Sequence, residues 1–189
     1  MRCRSASDGG GSPALAAASA DAPAPVRLVN VQWRSDGSLV APGAGERPGS
    51  LRLIETAAPG AHRAEGTLSG LTPGATAVLS FAARPTGARG ILVELQSGVH
   101  LGGGFCDLVG ETATRERDML DAGIEVEADG WSRCWVAMAV REPSATLRLS
   151  LIDERLDPTY VGDGTSGVAV GEIELRETTR FLAQEVSPW

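Results

Sequence analysis

Apolar and polar residues alternate with a period of two along much of this chain. Within residues 76–84, Ala77, Leu79, Phe81 and Ala83 share one parity, and Thr76, Ser80 and Arg84 take the other. Successive side chains of a strand point to opposite faces, so this pattern predicts a β-strand with one buried side. The same reading covers residues 91–96, with Ile91, Val93 and Leu95 inward and Glu94 and Gln96 outward. It also covers residues 132–141, where Cys134, Val136, Met138 and Val140 point inward, and 145–152, where Leu147, Leu149 and Leu151 do. Shorter strands are predicted at 26–33, 50–56, 64–68, 105–109 and 124–127. The last strand, 168–175, breaks phase, because Val168 and Val170 have one parity and Ile173 and Leu175 the other. A β-bulge at Gly171-Glu172 would return all four to the core.

Turn signals separate these runs: Asp36-Gly37, Pro59-Gly60, Pro73-Gly74, Asp129-Gly130 and a flexible loop at Gly102-Gly103-Gly104. Residues 111–121 suit either a helix or an exposed charged loop. Roughly ten short strands with turns every 8–12 residues predict an all-β fold, an antiparallel two-sheet sandwich or a barrel. The expected core comprises Leu79, Phe81, Val93, Leu95, Val136, Met138, Leu147 and Leu149.

At 189 residues the chain has room for one domain with a sizeable core. The expected organisation is a flexible Ala/Gly/Pro-rich arm over 1–25, the sandwich over 26–180 and a tail over 181–189. Asp8-Gly9-Gly10-Gly11-Ser12-Pro13 falls where a secretion signal would need its apolar core, so the arm reads as a disordered linker. A formal net charge of −7 repels a phosphate backbone, and no nucleic-acid partner is expected. No run approaches the ~20 apolar residues of a membrane span.

The candidate chemistry is sparse. There are two histidines, His62 and His100, and no G-x-S-x-G, H-E-x-x-H or Walker-type loop. Carboxylate pairs such as Asp118 and Asp121, Glu125 and Glu127, and Asp153 and Glu154 fall in exposed positions. The chain is therefore expected not to be an enzyme. Cys3, Cys106 and Cys134 have no zinc-site spacing; Cys106 and Cys134 either pair, if their strands are neighbours, or stay as buried thiols. In the loop 157–167, Asp157, Asp163 and Thr165 either gather a structural calcium ion or cap their own turn. No other cofactor is expected. Trp131, just after a turn, is expected to plug the core.

Trp135 is different. With Cys134 and Val136 inward, Arg133 and Trp135 face outward. An exposed indole offers a stacking surface to a sugar ring, and flanking polar side chains bond its hydroxyls. Glu94, Gln96 and Arg148 share the outward parity and would join Trp135 in a ligand site if their strands are neighbours. The alternative is that another segment packs over Trp135.

Five segments in order add a resemblance. They are Ala61-His62-Arg63, then Leu71-Thr72-Pro73-Gly74 with Leu79-Ser80-Phe81-Ala82-Ala83, then Phe105-Cys106-Asp107-Leu108 with Gly110, then Gly130-Trp131-Ser132-Arg133-Cys134, and finally the glycine-rich loop from Tyr160 to Val168. Together, over about residues 28–177, the chain resembles the jelly-roll β-sandwich modules of phage fibre and spike proteins and carbohydrate-binding modules. The resemblance implies a non-catalytic binding module, for a glycan or cell-surface polysaccharide, on a virion or extracellular surface. The alternative is a purely structural or oligomerising domain of a virion or surface protein, with no small ligand. The chain departs from the pattern at Ser132, where the family has tyrosine, and at Ala169 and Gly171, where the last strand often carries aromatics.

Overall fold

A computed structural model of the chain describes residues 26–27, 32–43 and 47–178. The arm expected over 1–25 and the tail over 181–189 lie outside the described residues. In chain order the strands are β1 (Val26–Arg27), β2 (Arg34–Asp36), β3 (Ser38–Pro42), β4 (Leu51–Glu55), β5 (Pro59–Ala61), β6 (Arg63–Ser69), β7 (Thr76–Pro85) and β8 (Gly90–Ser97). They continue with β9 (His100–Asp107), β10 (Thr112–Arg117), β11 (Met119–Val126), β12 (Ser132–Ala139), β13 (Ser144–Ile152), β14 (Thr159–Val161) and β15 (Gly167–Thr178). Among the described residues there is no helix, hence none long and apolar enough to cross a membrane.

One sheet has the order β11-β12-β7-β15-β4-β3, with β1 added to β15; the other has the order β10-β9-β8-β13-β6-β2. Every pairing is antiparallel, and a small β14-β5 ribbon sits apart. The first is called sheet A below and the second sheet B. The two pack face to face as a jelly-roll β-sandwich. All eight residues expected in the core lie there, none more than 3% exposed. Alternation is sufficient for this: each long strand offers one apolar side, and two such sides cover each other.

The break in phase of the last strand is resolved as the sequence predicts. Between Gly171 and Glu174 the register of β15 on β7 slips, and Glu172 takes a φ of 49°. Val168, Val170 and Leu175 are thereby all buried, and Ile173 packs against them.

Two expectations need correction. Residues 111–121 form neither helix nor loop. Thr112–Arg117 is an edge strand of sheet B, Met119 begins β11 of sheet A, and the chain crosses between the sheets at Arg117, whose φ is 54°. An edge strand tolerates the charged, non-alternating pattern because little of it is covered. Gly102-Gly103-Gly104 is not a loop either but the middle of β9. Its glycines bring β9 close to sheet A: a Cβ on Gly104 would lie 3.2 Å from Cγ1 of Val136, and one on Gly102 would lie 3.4 Å from Cε of Met138.

At one end of the sandwich a buried polar cluster ties four segments together. The Gly37 carbonyl accepts hydrogen bonds from Thr56 N–H at 3.0 Å and Thr56 Oγ1 at 2.9 Å, and Nδ1 of the wholly buried His62 faces it too. The buried Glu55 carboxylate accepts from the Tyr160 hydroxyl and from Asp163 N–H, both at 2.6 Å. Burial, followed by the bond to Glu55, pushes the Tyr160 pKa well above the ordinary phenol value.

Candidate ligand-binding face

Gly130 closes the turn before β12: its φ is 81°, and the Glu127 carbonyl accepts its N–H at 3.3 Å. From this turn the chain enters β12 with Trp131, Arg133 and Trp135 all directed to the outer face of sheet A. Registers place Arg133 beside Glu125 and Ala82, and Trp135 between Gly123 and Ser80, with Glu174 next beyond Ser80. Ala137 lies between Asp121 and Val78, with Arg176 beyond. The face is thus polar, with two indoles set into it.

The half-buried indole of Trp135 lies across the backbone of Gly123. A Cβ at that position would fall 1.9 Å from its Cζ2 and 2.3 Å from its Cε2. Only glycine on the neighbouring strand leaves room for the ring in this position. Trp131 is 3% exposed, as a buried plug would be, but it does not sit in the core between the sheets. It forms its own small cluster on the outer face with Ala82 and Ala169, and the position of a Cβ on Gly171 is 3.8 Å from its Cζ3. The guanidinium carbons of Arg47 and Arg84 lie 5.0 and 5.2 Å from its ring centroid, close enough for cation–π attraction. Small residues at 82, 169 and 171 make room for this ring, so the face takes its aromatic from the turn before β12 instead of from the last strand.

Charged groups frame the two rings. Arg47, from the segment between β3 and β4, pairs with Glu127, with Asp129 at 2.8 Å and with Glu172 at 3.6 Å. Arg133 pairs with Glu172, and its Nε is 3.6 Å from Glu127. Glu172 reaches both arginines because the bulge turns it out of the strand. A left-handed backbone at a non-glycine residue costs on the order of 1 kcal/mol or more, which marks the position as one where the side chain matters. The hydrogen bond from Arg47 holds the Asp129 carboxyl below its usual pKa, against the opposing effect of desolvation. A carboxylate with a depressed pKa stabilises the fold above its ordinary value of about 3.9, and that contribution is lost as the pH falls through the folded-state value. The stability lost in Asp129→Asn, measured in urea melts, should therefore be equal at pH 8 and pH 5 and shrink below about pH 4. A difference already shrinking between pH 8 and 6 would contradict the pairing.

The residues expected to join Trp135 divide between the sheets. Arg133 stands beside it. Glu94, Gln96 and Arg148 lie on β8 and β13 of sheet B, with the core between them and the indole. There Arg148 bonds Glu65 at 2.7 Å, Glu94 is 3.6 Å from Arg117, and Gln96 donates to the Gly98 carbonyl at 3.3 Å. Parity identified an outward direction correctly, but there are two outer faces. Arg47, Glu127, Asp129 and Glu172 were missed. For Trp131 and Glu172 a signal existed: Trp131 has the parity of Trp135, and a bulge must turn one of its residues outward.

The loop 157–167 spends its carboxylates on itself. Asp163 accepts from Thr165 N–H at 2.6 Å, Thr165 Oγ1 at 2.8 Å, and Ser166 N–H and Oγ at 2.7 Å each. The Ser166 hydroxyl first, then these backbone N–H groups, hold its pKa well below the carboxylate range. Asp157 caps Thr159 N–H at 2.8 Å. Among the described residues no three His, Cys, Asp or Glu side chains are grouped to hold a metal ion. A cavity of about 140 Å³ is lined by Glu55, Arg89, Asp153, Glu154 and Tyr160, of which Tyr160 already bonds Glu55 and Arg89 bonds Glu154.

No family model matches the chain, and no curated protein matches it. Solved structures do show likeness, and those named here are carbohydrate-binding modules with β-sandwich folds. The CBM22-1 xylan-binding domain of Paenibacillus barcinonensis Xyn10C is 15% identical, with a TM-score of 0.41 over 79% of this chain and 87% of that one. The module CBM6cm-2 from Cellvibrio mixtus lichenase 5A, in complex with cellotriose, is 9% identical, with a TM-score of 0.40 over 83% of this chain and 98% of that one. The mannan-recognising module TmCBM27 is 12% identical, with a TM-score of 0.43 over 84% and 98%. No phage fibre stands among these three. Likeness at this level carries no argument about what the chain binds, which has to be read from its own side chains.

Proposed function

We propose that the outer face of sheet A binds a glycan or polysaccharide chain, with Trp135 as the stacking platform and Arg133 as its neighbouring donor. The single observation that carries this reading is the half-buried indole of Trp135 packed over Gly123 on the outer face of sheet A, bordered by Ser80, Glu174 and the Arg133–Glu172 pair. A ring in that pose presents its π-face to sugar C–H groups, and the carboxylates and guanidinium beside it suit hydroxyls. The action is binding without turnover: Glu127, Asp129 and Glu172 are engaged by Arg47 and Arg133, whereas glycoside hydrolysis would use two carboxylates opposed across a cleft.

The test is affinity electrophoresis against a panel of soluble polysaccharides, followed by titration calorimetry with the polymer that retards the protein. Trp135→Ala should weaken binding by about 1–3 kcal/mol, taking base stacking on aromatics as the guide, and change the melting temperature little. Retardation by a polymer that survives Trp135→Ala would move the site elsewhere. If no polymer retards the wild type, the Trp135–Gly123 packing is structural cover, and the domain serves assembly instead.

A further inference from the structure

Cys106 and Cys134 stand on different sheets, on β9 and β12, and both are wholly buried free thiols. Across the interior Gly102 faces Met138 and Gly104 faces Val136. One further step of this antiparallel register sets Cys106 against Cys134. Sheets that pack through two layers of side chains stand about 10 Å apart, whereas a disulfide needs Cα atoms within about 7 Å. At this edge glycine removes one of the layers: a Cβ on Gly104 would be only 3.2 Å from Val136 Cγ1. The sheet spacing is therefore set by one side chain, and two small cysteines next to it come within reach of each other. A hydrogen bond with Cys106, then burial, raises the pKa of the Cys134 thiol far above its ordinary value.

We propose that Cys106 and Cys134 are a covalent modification site that closes into a cross-sheet disulfide when the chain folds in the presence of a small-molecule disulfide such as oxidised glutathione. One cysteine thiolate attacks a glutathione sulfur, forming a mixed disulfide and releasing one glutathione thiolate. The second cysteine thiolate attacks the protein-side sulfur and releases the other. The two cysteine protons end on the two glutathione thiolates, so the protein dithiol is oxidised and one oxidised glutathione is reduced to two thiols. Thiolates are the reacting species. In the folded reduced protein both thiols are shut away, and the exchange belongs to the folding chain. This site is independent of any sugar binding.

The full-length reduced chain is unfolded in urea and refolded with oxidised and reduced glutathione, then alkylated and digested without reduction. The expected result is a linked pair of peptides carrying Cys106 and Cys134, with Cys3 outside the link. Closing a loop of about 30 residues should raise the melting midpoint by about 10 °C, reversed by dithiothreitol. Already folded reduced protein in the same mixture should form the link at least about tenfold more slowly. Cys106→Ala should refold to one midpoint with or without oxidised glutathione. Alkyl groups on both Cys106 and Cys134 after oxidative refolding, or a link from either to Cys3, would overturn the proposal. So would a midpoint unmoved by the link, or equal rates for folded and folding chain.

Discussion

Trp131→Ala should lower the unfolding free energy by about 3–5 kcal/mol, the usual cost of removing a buried indole. The ring is 3% exposed and rests on Ala82 and Ala169. Its loss would also deprive Arg47 and Arg84 of the surface they stack on. Arg47 would then be less well placed to hold Glu127, Asp129 and Glu172, so the substitution should weaken ligand binding as well. Urea unfolding followed by the far-ultraviolet signal measures the first effect. A cost below about 1 kcal/mol would mean that the outer face collapses onto the vacancy, which the flat, small-residue floor beneath the ring argues against.

Gly37→Ala should cost about 3 kcal/mol or more, although it adds one methyl group. Gly37 has a φ of 61°, and a Cβ there would lie 2.0 Å from the Ala61 carbonyl oxygen. That oxygen belongs to backbone and has no rotamer to move to. Shifting it disturbs β5 and the adjacent His62, whose Nδ1 faces the same Gly37 carbonyl that Thr56 uses. A drop in melting temperature of about 6–12 °C is expected for a domain of this size. A variant melting with the wild type would show that this end of the sandwich yields easily.

The parts of this fold that local alternation controls were legible in the sequence. Leu79, Phe81, Val136 and Leu149 declare their faces within their own strands, and the parity conflict between Val170 and Ile173 announced the bulge. What depends on which strand neighbours which was not legible. Glu94 and Arg148 have outward parity like Trp135, yet only the sheet order shows that they point the opposite way. A tryptophan just after a turn is expected in the core, yet Trp131 shares the parity of Trp135 and is carried to the outer face. Arg47 sits 80 or more residues from its partners Glu127 and Asp129, and no local pattern joins them. The run Gly102-Gly103-Gly104 looked like a loop because glycine is disfavoured in strands. The gain from close sheet contact is visible only from the facing strand.

The bulge in β15 divides that strand into two segments of opposite phase. Its first segment pairs with β4 and its second with β1, both on the side away from β7. Each segment meets the core on its own terms, because the surplus residue at Glu172 uncouples them as a vernier uncouples two scales. Length variation in this strand is therefore cheapest beside Glu172, and most damaging inside Gly167 to Val170, where a slip of one residue would turn Val168 and Val170 to the outer face on which Trp131 packs, and Ala169 inward.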